Sequence, residues 1–449
     1  MDTNNYFESF SSRIQPPLFP AEARIGFVGD SLTRIGFYHR NLCLFYATRY
    51  PSRMLFPRSF GVSGDTAAGC AMRYGWDIAP FKADVLTLST GVNDACIWLY
   101  ETDTPDDANL AAREKEFREH VKSTRRFIKM AKENGSQVIV VSPALYDQTA
   151  EMDVPKRIGA NDTLRRMMDS DRRTADAFGC PFIDINTPMM KINEFMQRRN
   201  PRYTIVGPDR VHPKEVGHLV MAAAILKAQG VTPIVAEISL DARAREHLMS
   251  RNCTISDLSI GSEGVSFEYL AGALPFPLTK EQSQIAEFFD FQNDMNGELV
   301  RVTNLSSGRY KLSIDGKPLA TLSARQFAEG VNLSKMRTPQ LSQANLVRKM
   351  VEKRHLLGQK LLIRSLLKQQ FFPDKNNLSW KEERTILKDA LATLGTDTLW
   401  DRYRANNIRE YLPIGARRLP LEEKYSSMGD DIYTKSRPLP HFIEIRRMS

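Results

Sequence analysis

The chain has 449 residues, 62 Lys+Arg against 53 Asp+Glu for a formal charge of +9, and 42% hydrophobic with 26% charged residues. That length suits two or three domains, and the composition is that of a globular protein, which excludes wholesale disorder. No stretch approaches the roughly 18–20 unbroken apolar residues of a membrane helix, and Met1-Asp-Thr-Asn-Asn-Tyr-Phe lacks the basic-then-apolar layout of a secretory signal. With Met1 as the native start, the expected location is the cytoplasm.

From the N-terminus, Arg24-Ile-Gly-Phe-Val-Gly29 is a short apolar run ending in Gly-Asp-Ser, the pattern of a strand feeding a helix. A less regular strand follows from Met54 to Phe60, then clearer ones at Ala83–Ser89, Gln137–Val141 and Cys180–Ile185. Helical patterns lie between them at Ile35–Tyr50, Ala111–Asn134, Asn161–Phe178 and Lys214–Gln229, the last three closed by Gly135, Gly179 and Gly230. Strands alternating with long helical segments predict an α/β fold around a buried parallel sheet over residues 1–232. After Pro233 the texture changes to short β-like runs at Thr254–Ser256, Val265–Tyr269, Leu299–Val302 and Tyr310–Ile314, with Asp315-Gly316 as a hairpin signal. Residues 233–338 read as a small antiparallel β domain. Residues 339–449 read as a helical, basic region, with Leu346, Val347, Met350, Leu357, Leu361 and Leu362 on one track, a weakening signal beyond Phe372-Pro373 and no periodicity in the last 30 residues.

From Lys335 to Ser449 there are 23 Lys+Arg and 13 Asp+Glu. Interleaved acids favour a solvated helical surface, and without an aromatic-plus-basic motif a nucleic-acid partner is not expected. The five cysteines (Cys43, Cys70, Cys96, Cys180, Cys253) are scattered and never form C-x-x-C. They suit a reducing compartment and argue against a disulfide framework or a zinc–thiolate site.

No P-loop, G-x-G-x-x-G, H-E-x-x-H, EF-hand loop or G-x-S-x-G elbow is present. What remains is Ser31, at the mouth of the first strand and the start of a helix, where backbone N–H groups and the helix dipole favour negative charge. Gly61-Val-Ser-Gly64-Asp-Thr and Gly91-Val-Asn93-Asp94 follow the next two strands. Open parallel sheets bind ligands beyond the carboxyl ends of their strands. Gly64 lets a backbone N–H approach a substrate, and the Asn93 carboxamide is a good neutral donor to an oxyanion. The base should be a histidine. His212 lies in Gly207-Pro-Asp209-Arg-Val-His212-Pro213, where Asp209 can accept from Nδ1 while Nε2 faces the serine. A D-x-x-H string alone is weak evidence; its place after the last strand, with Ser31 after the first, strengthens it. His218 reads as structural, His39 and His120 as helix-surface or packing residues, Asp30 and Asp94 as loop-fixing, Asp65 as a turn anchor, and Cys70 and Cys96 as buried spectators.

In order, the blocks Gly29-Asp30-Ser31-Leu32, Ser63-Gly64-Asp65-Thr66, Gly91-Val92-Asn93-Asp94 and Asp209 to His212 resemble the GDSL (SGNH) hydrolase superfamily over roughly residues 22–230. The resemblance implies a three-layer α/β/α sandwich with five parallel strands. It makes Ser31 the nucleophile, His212 the base and Asp209 its partner, with the Ser31 and Gly64 N–H groups and the Asn93 side chain as oxyanion hole, and no metal or organic cofactor. Tyr310–Leu333 with Thr338-Pro339-Gln340 is similar to second domains of some bacterial carbohydrate-active members. Phe60 departs from the pattern, since many members carry a polar residue before the glycine of block two.

The function expected is ester hydrolysis through an acyl-enzyme. No long apolar lid or amphipathic membrane helix precedes the site, which favours a small acyl group, and the second-domain likeness favours deacetylation of a carbohydrate. A lysophospholipase or short-chain thioesterase is the alternative within enzymes. From another class, a non-catalytic module binding a polymer or partner is set against the intact Ser31, Asn93, Asp209 and His212.

Overall fold

Short apolar runs separated by helical segments assemble into one parallel sheet. In the computed structural model, which describes residues 14–261 and 264–448, the strands are β1 (Arg24–Gly29), β2 (Phe56–Gly61), β3 (Val85–Ser89), β4 (Gln137–Val141) and β5 (Phe182–Ile183). They lie in the order β2-β1-β3-β4-β5, every pair parallel. The reading of the first seven residues lies outside the described residues. Among the described residues, seven α-helices accompany the sheet: α1 (Ser31–Ile35), α2 (Phe37–Arg49), α3 (Ala67–Arg73), α4 (Asp107–Glu133), α5 (Ala160–Phe178), α6 (Asn186–Gln197) and α7 (Glu215–Ala228). Alternation along the strands supplies both faces. Ile25, Phe27 and Ile139 pack with Phe45 of α2, Met189 of α6 and Leu219 of α7, while Val28, Leu86 and Val140 pack with Cys70 of α3, Phe127 of α4 and Ala175 of α5. This is the α/β/α sandwich expected. The helix read as Ile35–Tyr50 begins earlier and breaks at Gly36, whose φ of +69° and N–H bond to the Leu32 carbonyl (2.8 Å) close α1 as a separate turn.

The register positions the site. Gly29 pairs with Gly61 on one side and Ser89 on the other, so the loops after β1, β2 and β3 leave the sheet at one level.

Past Pro233 come β6 (Ile234–Asp241), β7 (Glu246–Arg251), β8 (Cys253–Gly261), β9 (Gly264–Ala271), α8 (Lys280–Ala286), α9 (Phe291–Asp294), β10 (Gly297–Thr303), β11 (Arg309–Ile314), β12 (Lys317–Ser323), α10 (Ala324–Glu329) and β13 (Val331–Asn332). They form two facing sheets, β13-β10-β6-β7 and β12-β11-β14-β9-β8, where β14 (His441–Arg447) is the chain's last strand. Ile238, Val300, Phe267, Leu312 and Ile445 fill the space between them. Asp315-Gly316 is the β11–β12 turn, both residues at positive φ. Two features differ from the sequence reading. The β6–β10 pair is parallel. And β14 belongs to a range read as helical: in His441-Phe-Ile-Glu-Ile-Arg-Arg only Ile443 and Ile445 are buried, too short an alternation to stand out before its neighbours β9 and β11 are known.

Between β13 and β14 the chain is helical: α11 (Pro339–Phe371), α12 (Trp380–Thr393), α13 (Leu399–Tyr411) and α14 (Arg418–Ser436). Thr338 caps α11 through the Leu341 N–H with Pro339 at its first position. Leu346 is exposed, not on the packed face; Val347, Val351, Leu362, Leu366 and Leu367 carry the burial. Part of the basic excess is paired within this region, as in Arg348–Glu352 (2.9 Å) and Arg418–Glu422 (3.1 Å). Among the described residues no helix is long and apolar enough to cross a membrane, and all five cysteines are free.

The end of β2 passes α1 so closely that a Cβ at Gly61 would lie 2.1 Å from the Arg34 nitrogen and 2.4 Å from the Thr33 carbonyl carbon, both backbone atoms. Gly61→Ala should therefore destabilise the protein by about 1–3 kcal/mol, as overpacking does. A thermal melt reads this as a lower midpoint; an unchanged midpoint would show that α1 can move aside.

Candidate active site

Ser31 stands at the first position of α1, so its N–H is one of the donors a helix start leaves without an internal partner. Asp30 caps the turn through the Leu32 N–H (2.9 Å) and is 3% exposed; burial raises its carboxyl to about 7. At Gly29 a Cβ would meet the Ser89 carbonyl and Thr33 Oγ1, each at 2.4 Å, so only glycine lets β1 turn this tightly into α1. The other end of α1 is held by its carbonyls. Thr33 O accepts from His39 Nε2 (3.0 Å) and Ser59 Oγ (3.1 Å).

The loop before α7 brings a histidine to the serine. Ser31 Oγ lies 2.8 Å from His212 Nε2, and His212 Nδ1 lies 2.6 Å from Asp209 Oδ2. Because the carboxylate can only accept, Nδ1 carries the proton and Nε2 is left to accept from the serine hydroxyl. Asp209 Oδ1 also takes the backbone N–H groups of Val211 and His212. Partial burial pushes the Asp209 carboxyl up, but these hydrogen bonds outweigh it and bring it to about 2. The bond to Asp209 raises the His212 imidazole above its ordinary value against the opposing effect of burial. Arg210, between the two, has a fully buried guanidinium that donates to the carbonyls of Asp147, Ala150 and Val154, fixing a residue at φ +67°. The sequence reading did not single it out.

Gly64 has φ +81°, a conformation that favours glycine. Asn93 Nδ2 donates to the Asp65 carbonyl (2.9 Å), which orients the carboxamide; its second hydrogen remains to be donated. The anchor of this loop is Arg73, 0% exposed, which donates to Asp65 Oδ2 (2.7 Å) and to the Phe60 carbonyl (2.6 Å). That explains the tolerance of Phe60: its ring is buried against Phe81, and a charged donor from α3 supplies the polar contact. Asp65 anchors its turn through the Thr66 N–H, as expected.

Asp94 Oδ1 accepts from the Ala67 N–H (2.9 Å) and pairs with His120 Nδ1 (2.9 Å), while His120 Nε2 meets Asp171 Oδ1 (3.0 Å). Burial alone would lower this imidazole, but the two carboxylates raise it to about 10. The two carboxylates thus favour the charged form of the buried His120 ring, which ties Asp94 to Asp171 and is more than the packing residue expected. His39 stacks on Phe27, and His218 is buried with Nδ1 accepting the Tyr38 N–H; burial lowers His218 to about 3. Cys70 is buried, whereas Cys96 is only half-buried. No group of three His, Cys, Asp or Glu among the described residues is placed to hold a metal.

Ser31, Gly64, Asn93 and His212 line one open cleft of about 820 Å3, so the structure brings together every site residue read from sequence, with Asp209 behind His212. The far wall was not foreseen. It consists of Leu356, Gln359, Lys360 and Ile363 of α11 with Trp400, Tyr403 and Glu410 of α13. None of these belongs to a motif; the only signal was an aromatic pair three residues apart on a helix, more often a core feature.

Residues 27–220 match the profile of the family described as GDSL-like Lipase/Acylhydrolase. A solved structure described as BT4096, a gut microbial diltiazem-metabolizing enzyme, has a TM-score of 0.87 to this chain at 30% identity, covering 97% of this chain and 99% of that one. The chain belongs to the GDSL-like lipase/acylhydrolase family. This GDSL protein is a carboxylic ester hydrolase. Axe2, an acetylxylan esterase from Geobacillus stearothermophilus, is similar at 20% identity over 48% of the GDSL chain described here and 97% of its own, with a TM-score of 0.38. A search of curated proteins finds no match.

The Asp209 contact sets a titration that can be read directly. By proton–carbon NMR, the His212 ring should titrate above the reference value of about 6.5. Asp209→Asn removes the charge that favours the imidazolium and should bring the titration down; an unmoved titration would show that the pair is not coupled in solution.

Proposed function

We propose that Ser31 is the nucleophile of a serine esterase, with His212 as general base, Asp209 as its orienting partner and the Ser31 N–H, Gly64 N–H and Asn93 Nδ2 as oxyanion donors. The observation that carries this is the unbroken chain Ser31 Oγ–His212 Nε2–Nδ1–Asp209 Oδ2, at 2.8 and 2.6 Å, on the floor of a cleft that Gly64 and Asn93 also line. Ser31 Oγ attacks the acyl carbon as its proton passes to Nε2, and the carbonyl oxygen becomes an oxyanion facing the three donors. Collapse expels the alcohol, which takes the proton from Nε2, and leaves the acyl group on Ser31. Water then attacks, gives a proton to Nε2, and a second collapse releases the carboxylic acid and restores the serine.

The substrate proposed is an acetyl ester of a carbohydrate. The cleft offers polar side chains at its rim (Gln359, Lys360 and Glu410) together with apolar ones, which suits a hydroxyl-rich alcohol better than an acyl chain. The solved structure that matches over the whole length acts on diltiazem, which favours as a second reading an acetylated small molecule other than a sugar. Acetate release from acetylated oligosaccharides, compared with fatty-acid release from lysolipids, tests the class: the proposal expects the first to dominate, and a dominant second would overturn it.

Ser31→Ala should lower turnover of p-nitrophenyl acetate by orders of magnitude, leaving only what the oxyanion donors contribute. Retention of a tenth or more of wild-type turnover would remove Ser31 from the role. Activity should rise with pH through the His212 ionisation, above about 6.5, because only the neutral ring accepts the serine proton. Asn93→Ala should lower kcat by ~10²–10³ with little change in KM, since its donor bond strengthens only as the oxyanion forms. A raised KM with kcat preserved would instead give Asn93 a ground-state binding role.

A further inference from the structure

We propose that the wall contributed by α11 and α13 is the subsite for the alcohol portion of the ester, and that Trp400 is its stacking plate for a single flat-faced ring. This deepens the esterase reading of the same cleft and rests on it.

Position comes first. If a Cβ is placed on Gly64, the nearest atom outside the loop is Trp400 Cη2, at 3.6 Å. The indole therefore lies directly over the turn proposed to carry an oxyanion donor. An ester with its carbonyl oxygen at Gly64 and its acyl carbon at Ser31 therefore has this ring within reach. Nothing else on the loop comes between them, because Gly64 has no side chain.

The indole is also held in place and left uncovered. Trp400 stacks on Tyr403 with centroids 5.3 Å apart and planes 26° from parallel. Tyr403 is fixed in turn by its hydroxyl, which donates to Ser63 Oγ (2.9 Å), one residue before Gly64. Yet Trp400 is 46% exposed, and Leu356, which lines the same cleft, is 59% exposed. Single exposed apolar residues are ordinary, but two that line the same cleft beside a nucleophile, one of them rigidly backed, form an apolar surface suited to cover by a ligand.

The rim indicates what the ring carries. Lys360 and Glu410 line the cleft and make no ion pair among the described residues. Gln359 lines it as well and uses its amide on the Ile35 carbonyl (2.9 Å). A ring with one flat C–H or π face and polar groups around its edge meets both demands: the face lies on the indole, and the edge reaches the charged rim. A pyranose ring and a substituted aryl ring share this chemistry, and the test separates them.

Three acetates probe the subsite: ethyl acetate without a ring, benzyl acetate with an aryl ring, and an acetylated methyl xyloside with a sugar ring. Trp400→Ala should lower kcat/KM on a ring-bearing acetate at least tenfold more than on ethyl acetate, mostly through KM, and Trp400→Phe should restore much of the difference. A selective loss on the xyloside identifies the ring as a sugar, a selective loss on benzyl acetate identifies it as aryl, and either supports the plate. An equal loss on all three, or no loss, overturns it. Calorimetric binding of benzyl acetate and the xyloside to Ser31→Ala protein, with and without Trp400→Ala, reads the subsite without turnover. A Kd unmoved by Trp400→Ala refutes the plate even where esterase activity is intact; weakened binding alongside undiminished turnover in Ser31→Ala refutes the nucleophile assignment and leaves the plate standing.

Discussion

The site depends on one constraint above others, the register of a parallel sheet. Ser31, Gly64, Asn93 and His212 come from four loops spread over 182 residues of sequence, and no local structure could bring them together. Parallel pairing does so because it places all carboxyl ends on one edge, and here Gly29, Gly61 and Ser89 share a level. A slip of one residue in β2 would turn its side chains to the opposite face and carry Gly64 away from Ser31. The glycines at the strand ends let that register be used at close quarters. Without side chains at Gly29 and Gly61, α1 packs against both neighbouring strands, and Ser31 stands close to the donors of the next two loops.

The floor so formed is braced from outside the sandwich. Gln369 of α11 donates to Asp65 Oδ1 (3.3 Å), Tyr403 of α13 donates to Ser63, and His355 of α11 donates to the Ile35 carbonyl at the end of α1 (2.9 Å). Each contact falls on the Gly64 loop or on the helix that begins with Ser31. Such bracing would hold the proposed donors and nucleophile in place before substrate arrives, and that matters because catalytic electrostatics work through groups that need not reorganise. The helical region is therefore part of the site and not an appendage to it.

What could be read from sequence follows from how local the signals are. The sandwich was legible because helices ended by Gly135, Gly179 and Gly230 and apolar strands between them announce themselves over short windows. The site was legible because each block lies at a strand end, where chain order predicts position. The buried charges were not. Arg73 sits on a helix whose sequence gives no hint that it reaches Asp65, and His120 is favoured in its charged form only because Asp94 and Asp171 converge on it from distant segments. Strand β14 was hidden for the same reason, since seven residues with two buried isoleucines acquire meaning only beside β9 and β11. Trp400 and Tyr403 belong to no motif, and only the fold brings Trp400 against Gly64 and Tyr403 onto Ser63.

The way the helical region is attached determines how the cleft can behave. It leaves the β sandwich after β13 and returns as β14, which sits between β11 and β9, so both ends are tied to paired strands. The sandwich is fastened to the first 232 residues by the Arg49 guanidinium on the Met295 carbonyl and by the Leu274 N–H on the Thr48 carbonyl. Swinging α11 away from Ser31 would require unpairing β14 or bending a 33-residue helix. The one glycine inside that helix, Gly358, is no hinge: a Cβ there would meet the Tyr425 ring of α14 at 3.0 Å, so its absence serves close packing. A cleft wall tethered at both ends is held against the loops it faces through Gln369 on Asp65 and Tyr403 on Ser63. On the subsite proposed above, selection among esters rests on the spacing between Ser31 and the α11–α13 wall, which favours a ring by shape before chemistry begins.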